Sequence, residues 1–411
     1  MTTAPFLPYG KQLIEDDDLA AVAAALRGDF LTTGPSVAAF EDAFAARVGA
    51  KHAVSCANGT AALHMTALAL GLKTGDRTIV PAITFLATAN CARYVGADVT
   101  FADVDPATAL MTEASMEEAL SRAGSAAKAV YPVHMNGQTA DMAAIAKRAR
   151  ARGLAIVEDA CHALGGSYRG ADGAEAPVGA CRHSDMAIFS FHPVKIIASG
   201  EGGMVTTNDD TLAARLRRER NHGMVREPGL FEDKDQAFGP DGGANPWYYE
   251  MPEPGFNYRL TDIHAALGLS QLKKLDRFAA KRRELVSLYD RALATYAPIV
   301  RPLARTPHDT PGWHLYVALI DFARAGVDRG TCMRAMAKSG VGSQVHYLPL
   351  HRQPYYRRRY GEMSLPGAER YYSEALSLPL SAQMTGDDVD RVVRALAASL
   401  GLDNKTDKGR R

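Results

Sequence analysis

The sequence predicts an α/β protein: a mostly parallel sheet with helices on its faces, joined to a second, smaller domain. Three observations carry that expectation. Strand-like apolar runs alternate with helix-patterned segments along most of the chain. At 411 residues and 47% hydrophobic content, the chain can bury a core large enough for two domains. From about Asp262 to Tyr296 the rhythm changes to one long helical stretch with apolar residues three and four apart and a basic outer face, which reads as a bridge between domains.

Taken in order, HAVSCANGT is a strand running into the helix AALHMTALALGL, and TIVPAITF is a strand leading to the helix TANCARYVGA. VTFADVD and AKAVYPVHMNG are further strands. MAAIAKRARARG is a helix stopped by glycine before the strand LAIVEDA, and MAIFSF and GGMVTTND continue the series. Such a sheet is buried on both faces. Beyond the bridge, HLYVALIDF and GSQVHYLPL are strand candidates and DDVDRVVRALAASLG is a final helix. The expected organisation is a large domain over 1–270, a helical bridge over 271–299, a small domain over 300–401 and a polar tail over 402–411.

Charge and composition remove several classes of function. Forty-seven Lys and Arg nearly cancel 46 Asp and Glu, leaving a formal +1, so neither nucleic acid nor an anionic membrane is indicated as a partner. Small molecules become the default ligand. The five cysteines are scattered singly, without disulfide or zinc spacing, and read as reduced thiols. No stretch approaches the roughly 20 apolar residues that span a bilayer, and MTTAPFLPYGKQLIEDDD lacks the pattern of a secretory signal. A cytoplasmic protein is expected.

One segment breaks the alternation. NHGMVREPGLFEDKDQAFGPDGGANPWYYEMPEPGFNYRL is rich in Gly, Pro and acidic residues, yet carries Trp247, Tyr248 and Tyr249. A loop of that length inside a compact domain is functional or disordered, and the aromatics favour an ordered, functional loop over 222–256.

Candidate chemistry lies at strand ends, where open α/β sheets place ligands. Asn58-Gly59-Thr60 follows a strand and opens a helix, so backbone N–H groups and the Thr60 hydroxyl can hold a phosphate; helix capping explains the same residues equally well. Glu158 and Asp159 follow an apolar strand, although an Asp there also serves as a helix cap. Lys195, in FSFHPVKIIASGEGG, stands between an apolar strand and a run of glycines, where an isolated ammonium is costly unless something uses it. No GxxxxGK[ST] stands in the chain and no GxGxxG follows a strand, so the phosphate need not belong to ATP or NAD. Pyridoxal phosphate (PLP) answers to all three parts. Its aldehyde forms a Schiff base with a lysine amine, its phosphate suits a helix N-terminus, and its pyridine nitrogen needs a carboxylate to keep it protonated, a role that Asp159 fits.

LTTGPSVAAFE, NGTAALH, PAITFLATAN, VEDACHALGG, SFHPVKIIASGEGGMVTTND and GFNYRLTDIHAALGLSQL, in that order, resemble the DegT-type PLP-dependent nucleotide-sugar aminotransferases across nearly the whole chain. The resemblance implies the fold-type I aminotransferase architecture, with a large PLP-binding domain and a smaller C-terminal α/β domain. It makes Lys195 the cofactor-binding and catalytic lysine and Asp159 the pyridinium partner. Thr60 and Ser190, beside the Gly59 backbone, match phosphate ligands. Phe85 matches the ring that stacks on the cofactor, against the alternative of a core phenylalanine. His162 stands where relatives carry Gln or His near the phenolic oxygen, and Asn257 matches a residue that reaches the cofactor of a neighbouring subunit, implying a homodimer with shared active sites. His134 and His192 read as structural.

Some relatives replace the lysine by histidine and dehydrate sugars; with lysine at 195 the resemblance implies transamination. L-Glutamate would give up its nitrogen, leaving as 2-oxoglutarate, and a nucleotide-linked keto-sugar would accept it, with Lys195 moving the proton in both directions. LPYGKQLIEDDDLAAVAAALRGDFLTTGP, NPWYYEMPEPGFNYRLTDIHAALG and QVHYLPLHRQPYY resemble the branch that makes UDP-4-amino-4,6-dideoxy-N-acetyl-β-L-altrosamine for pseudaminic acid. Enzymes acting on perosamine-type GDP or dTDP sugars share most of these residues. Trp247, Tyr248, Arg259, His346 and Tyr347 are the substrate-binding candidates, since aromatic faces pack on a sugar or uracil and arginine pairs with a diphosphate; the same aromatics also suit packing of loop against core. A non-catalytic regulator or a sugar-binding protein on this scaffold would have no reason to keep Lys195, Asp159 and the phosphate ligands together.

Overall fold

A computed structural model describes residues 5–170 and 173–402. Seven strands form the central sheet: β1 (His52–Cys56), β2 (Arg77–Pro81), β3 (Asp98–Ala102), β4 (Ala127–Val130), β5 (Ala155–Asp159), β6 (Met186–Ser190) and β7 (Gly203–Thr207). Their order across the sheet is β1-β7-β6-β5-β4-β2-β3. Every pairing is parallel except the two made by β7, which runs against both β1 and β6. Reversing one strand next to two neighbours leaves β1 pointing the same way as β6. The carboxyl ends of β1, β2, β5 and β6 therefore open on one edge, which is where the sequence places its chemistry.

The strands are apolar along their length because helices cover both faces. Each strand anticipated above for the large unit is present. At β5 the alternation of the pleat separates two adjacent carboxylates. Glu158, fully buried, bonds His134 Nε2 at 2.7 Å and Ser184 Oγ at 2.5 Å on one side of the sheet, and Asp159 turns to the other. His134 is thus structural, as expected.

The C-terminal unit holds a three-stranded antiparallel sheet, β8 (Val300–Pro302), β9 (Tyr316–Ile320) and β10 (Ala375–Leu378), with β9 in the middle. The helices Arg329–Lys338 and Gly386–Ser399 pack on it through Met336, Val392 and Leu396. HLYVALIDF supplies β9, but GSQVHYLPL forms no strand and makes one bridge, Gln344 to Ser377. The reason is geometric: Val345, His346 and Tyr347 all line the cleft described below, and consecutive residues of a strand cannot face one way. The long helical stretch also divides, into Asp262–Leu272 and Leu275–Leu293. The second helix bridges two cores, burying Leu275 and Phe278 with the large unit and Leu285, Tyr289 and Leu293 with the small one. Leu402 packs into the small core; the rest of the expected tail, 403–411, lies outside the described residues.

The loop 222–256 is ordered by a core of its own. Val225, Phe231 and Ala237 are buried in it, with Phe238 and Tyr248 packed against them. Glu250 gathers its turns, accepting the backbone N–H of Glu232 at 2.7 Å and of Asp233 at 2.8 Å and the Tyr248 hydroxyl at 2.9 Å.

Candidate active site

The edge where these strand ends meet encloses a cleft of about 630 Å³, and nine of the residues singled out in the sequence line it: Gly59, Thr60, Phe85, Asp159, His162, Ser190, Lys195, His346 and Tyr347. Their positions follow from the elements that carry them. The Asn58 side chain caps the helix Gly59–Ala69 by accepting from Ala61 N at 2.8 Å. Capping and ligand binding are therefore compatible: the cap satisfies the third N–H while the backbone of Gly59 and Thr60 borders the cleft. A Cβ at Gly59 would stand 2.9 Å from the Ser190 Cβ, so only glycine lets the helix start come this close to the end of β6.

Lys195 lies in the turn between β6 and β7, its N–H bonded to His192 O at 2.8 Å. Burial pushes its amine below the ordinary lysine range, with Cys161 and Asp159 pulling the other way. A lysine so placed gives up its proton more readily and is a better nucleophile and base than one in water. Asp159, 5% exposed, is held by the Thr88 hydroxyl on Oδ2 at 2.7 Å and by Cys161 N on Oδ1 at 3.2 Å. The carboxylate is fixed at the end of β5, as a partner for a cationic ring nitrogen must be.

The opposite wall is aromatic. His162 Nε2 meets the Tyr347 hydroxyl at 3.2 Å, and Nδ1 of His162 is buried without a hydrogen-bond partner. His314 stacks obliquely on His162 with ring centroids 4.4 Å apart, and His346 bonds Ser377 Oγ through Nδ1 at 2.7 Å. Burial, with the nearby Lys195, pushes His162 and His314 well below the usual imidazole range and His346 down to about 3. All three are neutral at physiological pH. Burial also pushes the Tyr347 phenol well above its ordinary value. Phe85, at the N-terminal end of the helix Leu86–Tyr94, is 53% exposed, which removes the core reading and leaves a ring standing open at the cleft, 6.0 Å from Tyr347.

These residues fit PLP: a depressed lysine amine, an anchored carboxylate, a helix N-terminus whose Gly59, Thr60 and neighbouring Ser190 border the cleft, an orphaned imidazole nitrogen and an open aromatic face. Four sequence candidates lie away from the cleft of their own chain. Asn257 is exposed, paired through its backbone with Asn221. Arg259 bonds Asn221 Oδ1 at 2.6 Å and borders a separate cavity. Trp247 is 74% exposed at the loop tip, and Tyr248 packs edge-on against Phe231 inside the loop. Conversely, Tyr9, Thr88 and His314 line the cleft although no local signal marked them as site residues, and His192, read as structural, stands exposed at its border. Thr88 lies inside the motif PAITFLATAN, Tyr9 inside LPYGKQLIEDDD, and His314 opens the strand segment HLYVALIDF; none of these stretches by itself marks its residue as facing Lys195.

Comparison with known proteins agrees with this geometry. The chain matches the DegT/DnrJ/EryC1/StrS aminotransferase family over residues 12–397. It is 38% identical over 396 residues to the spore coat polysaccharide biosynthesis protein SpsC of Bacillus subtilis, covering 95% of this chain and 96% of that protein. Among solved structures, it resembles Helicobacter pylori PseC, an aminotransferase involved in the biosynthesis of pseudoaminic acid, at a TM-score of 0.85 and 27% identity, covering 96% of this chain and 99% of that one. Spr1654 of Streptococcus pneumoniae, at 25% identity and the same coverage, has been solved in a PLP form and a PMP form, with TM-scores of 0.83 and 0.84. With its lysine, carboxylate and helix N-terminus gathered on one sheet edge, this chain belongs to the DegT/DnrJ/EryC1/StrS family and is a PLP-dependent sugar aminotransferase of the fold-type I architecture.

Proposed function

We propose that the protein transfers the amino group of L-glutamate to C4 of a UDP-linked 4-keto-6-deoxy-N-acetylhexosamine, giving UDP-4-amino-4,6-dideoxy-N-acetyl-β-L-altrosamine for pseudaminic acid synthesis. The observation that carries the reading is the single cleft that joins Lys195 and Asp159 to an open aromatic wall. The likeness to PseC along nearly the whole chain supports the choice of sugar. Bound PLP supplies an electron sink for the substrate carbon that exchanges nitrogen. Lys195 is the covalent anchor and the proton carrier between substrate and cofactor, Asp159 holds the ring nitrogen's proton, and Gly59, Thr60 and Ser190 hold the phosphate. Phe85 would stack on the ring, and the free Nδ1 of His162 would be available near its phenolic oxygen.

The same reading divides the chain into 1–270, 271–299 and 300–401, and takes Asn257, with Trp247, Tyr248 and Arg259, to the cleft of a second copy in a homodimer. The exposure of Asn257 and Trp247 and the peripheral position of Arg259 support this, while Tyr248, packed on Phe231, belongs to the loop that carries them. The five free cysteines fit a cytoplasmic enzyme, and no helix among the described residues is long and apolar enough to cross a membrane. A second reading is amination of a perosamine-type GDP- or dTDP-linked 4-keto sugar, since enzymes of that kind share most of the motif residues quoted above.

The test supplies glutamate with UDP-, GDP- and dTDP-linked 4-keto-6-deoxy sugars and with simple 2-oxo acids, and compares kcat/KM. The UDP-linked N-acetylhexosamine should lead by at least about tenfold, the discrimination that one or two specific contacts supply. Preference for a GDP or dTDP sugar would favour the second reading, and preference for 2-oxo acids would refute both.

A further inference from the structure

The threonine that holds Asp159 has a second threonine behind it. Thr84 and Thr88 lie where the chain leaves β2 and enters the helix Leu86–Tyr94, Thr84 just before the helix and Thr88 in its first turn. Both line the cleft and both are buried, at 1% and 0% exposure. Their hydroxyls meet at 2.8 Å, and Thr88 Oγ1 reaches Asp159 Oδ2 at 2.7 Å. A threonine at a helix start ordinarily returns its hydroxyl to the nearby backbone. Here the side chains bond to each other and to the carboxylate at the end of β5 instead, so two strand ends that are not neighbours in the sheet are tied together inside the cleft.

The direction of this chain of bonds follows from the groups in it. A carboxylate facing a protonated ring nitrogen is ionised and only accepts, and a hydroxyl has one proton to give. Thr88 therefore donates to Asp159, and its oxygen is left to accept from Thr84. Cys161 N serves the other oxygen, Oδ1, at the longer distance of 3.2 Å. The Thr88 side chain has little freedom to turn away: it is branched at Cβ, its N–H bonds Phe85 O at 3.3 Å and its carbonyl accepts the Cys91 thiol at 3.2 Å. A short, buried bond to a charged acceptor, with a second hydroxyl polarising the first, is the strongest fixed contact that Asp159 has in this chain.

We propose that Thr88, backed by Thr84, is a positioning residue for amino transfer: it fixes the orientation of the Asp159 carboxylate and, by occupying Oδ2, keeps the proton shared by carboxylate and cofactor on the ring nitrogen. A donor bound to the carboxylate holds the negative charge there. With the Thr88 proton removed, Oδ2 is free to take the ring's proton, and an unprotonated ring is the poorer electron sink. The inference rests on Asp159 as the partner of the ring nitrogen.

The test loads the protein with PLP carrying ¹⁵N in its ring and reads that nitrogen by NMR, alongside the rate at which glutamate bleaches the visible absorbance. Wild type is compared with Thr88→Val, Thr88→Ser, Thr84→Val and Asp159→Asn. Thr88→Val should move the ring signal toward that of unprotonated pyridine and slow the glutamate half of the reaction by about tenfold, the loss of about one hydrogen bond to a charged group. Thr88→Ser keeps the hydroxyl and should return the signal to its place and the rate to within about twofold of wild type, while Thr84→Val should move both in the direction of Thr88→Val by less. An unmoved ring signal in PLP-loaded Thr88→Val, or a shift that Thr88→Ser does not reverse, would overturn the role of Thr88. Should Thr88→Val fail to fold or to take up PLP, Thr84→Val decides: a shift there supports the proposal and an unmoved signal overturns it. A wild-type ring signal in Asp159→Asn would instead overturn Asp159 as the ring's partner, and the role of Thr88 with it.

Discussion

At the scale of single residues, the cleft keeps its histidines neutral. His346 has a pKa of about 3 in the folded chain against 6.5 for a free imidazole, because burial and the Lys195 amine both disfavour its cation. Between those values the unfolded chain binds a proton that the folded chain does not. Stability is therefore full above about pH 6.5 and falls as the pH drops through the window, by up to about 1.4 kcal/mol per pH unit for each such histidine. His162 and His314 are shifted the same way. Urea unfolding at pH 7, 6 and 5 should show a steep loss of stability that His346→Asn makes shallower, since Asn keeps a polar atom toward Ser377 without the titration. An equal slope in the variant would show that His346 is not the group responsible. Lys195, Asp159 and Thr60 were legible as cleft residues because each sits at a strand end next to a local signal, and Ser190 through the family motif SFHPVKIIASGEGG. Tyr9 and His314 were not, since only tertiary structure brings them within reach of Lys195.

At the scale of elements, the edge of the sheet explains the site. Reversing β7 alone brings the ends of β1 and β6 together, and the helix Gly59–Ala69 then starts directly against Ser190. Gly59 is needed there for space, as a Cβ would meet the Ser190 Cβ at 2.9 Å. Gly59→Ala should weaken PLP binding by about tenfold, measured by titrating the apo-protein, and should also lower the Tm of the apo-protein, because the helix start and Ser190 must move apart whether or not cofactor is bound. Unchanged affinity would mean that the phosphate lies elsewhere. Most strands of the large unit could be located in the sequence because buried parallel strands are continuous apolar runs. GSQVHYLPL misled because its composition is strand-like while its residues serve the cleft, and composition does not reveal which way a backbone turns. Tyr248 is similar: its packing against Phe231 and its bond to Glu250 belong to a small loop core that no periodicity announces.

At the scale of the whole molecule, the proposed shared sites make activity a property of two copies. Lys195→Ala and Asn257→Asp, each inactive alone, should recover activity when mixed under conditions of subunit exchange, up to about a quarter of wild type, because half of a random mixture is hetero-dimer and one of its two sites has both residues intact. Asp is chosen because its charge repels a phosphate. Exchange without recovery would place Asn257 outside the neighbour's site.

The central claim is that nitrogen passes from glutamate to a nucleotide-linked sugar within this cleft, by way of a cofactor that Lys195 anchors and with Lys195 moving the proton. The most direct measurement supplies ¹⁵N-labelled glutamate with the UDP-linked 4-keto-6-deoxy-N-acetylhexosamine and reads the label in the sugar product by mass spectrometry. The account predicts ¹⁵N at C4 with one 2-oxoglutarate released per amine formed, and no label from a folded Lys195→Ala variant. Label transfer by that variant at the wild-type rate, or transfer by the wild type to 2-oxo acids alone, would contradict it.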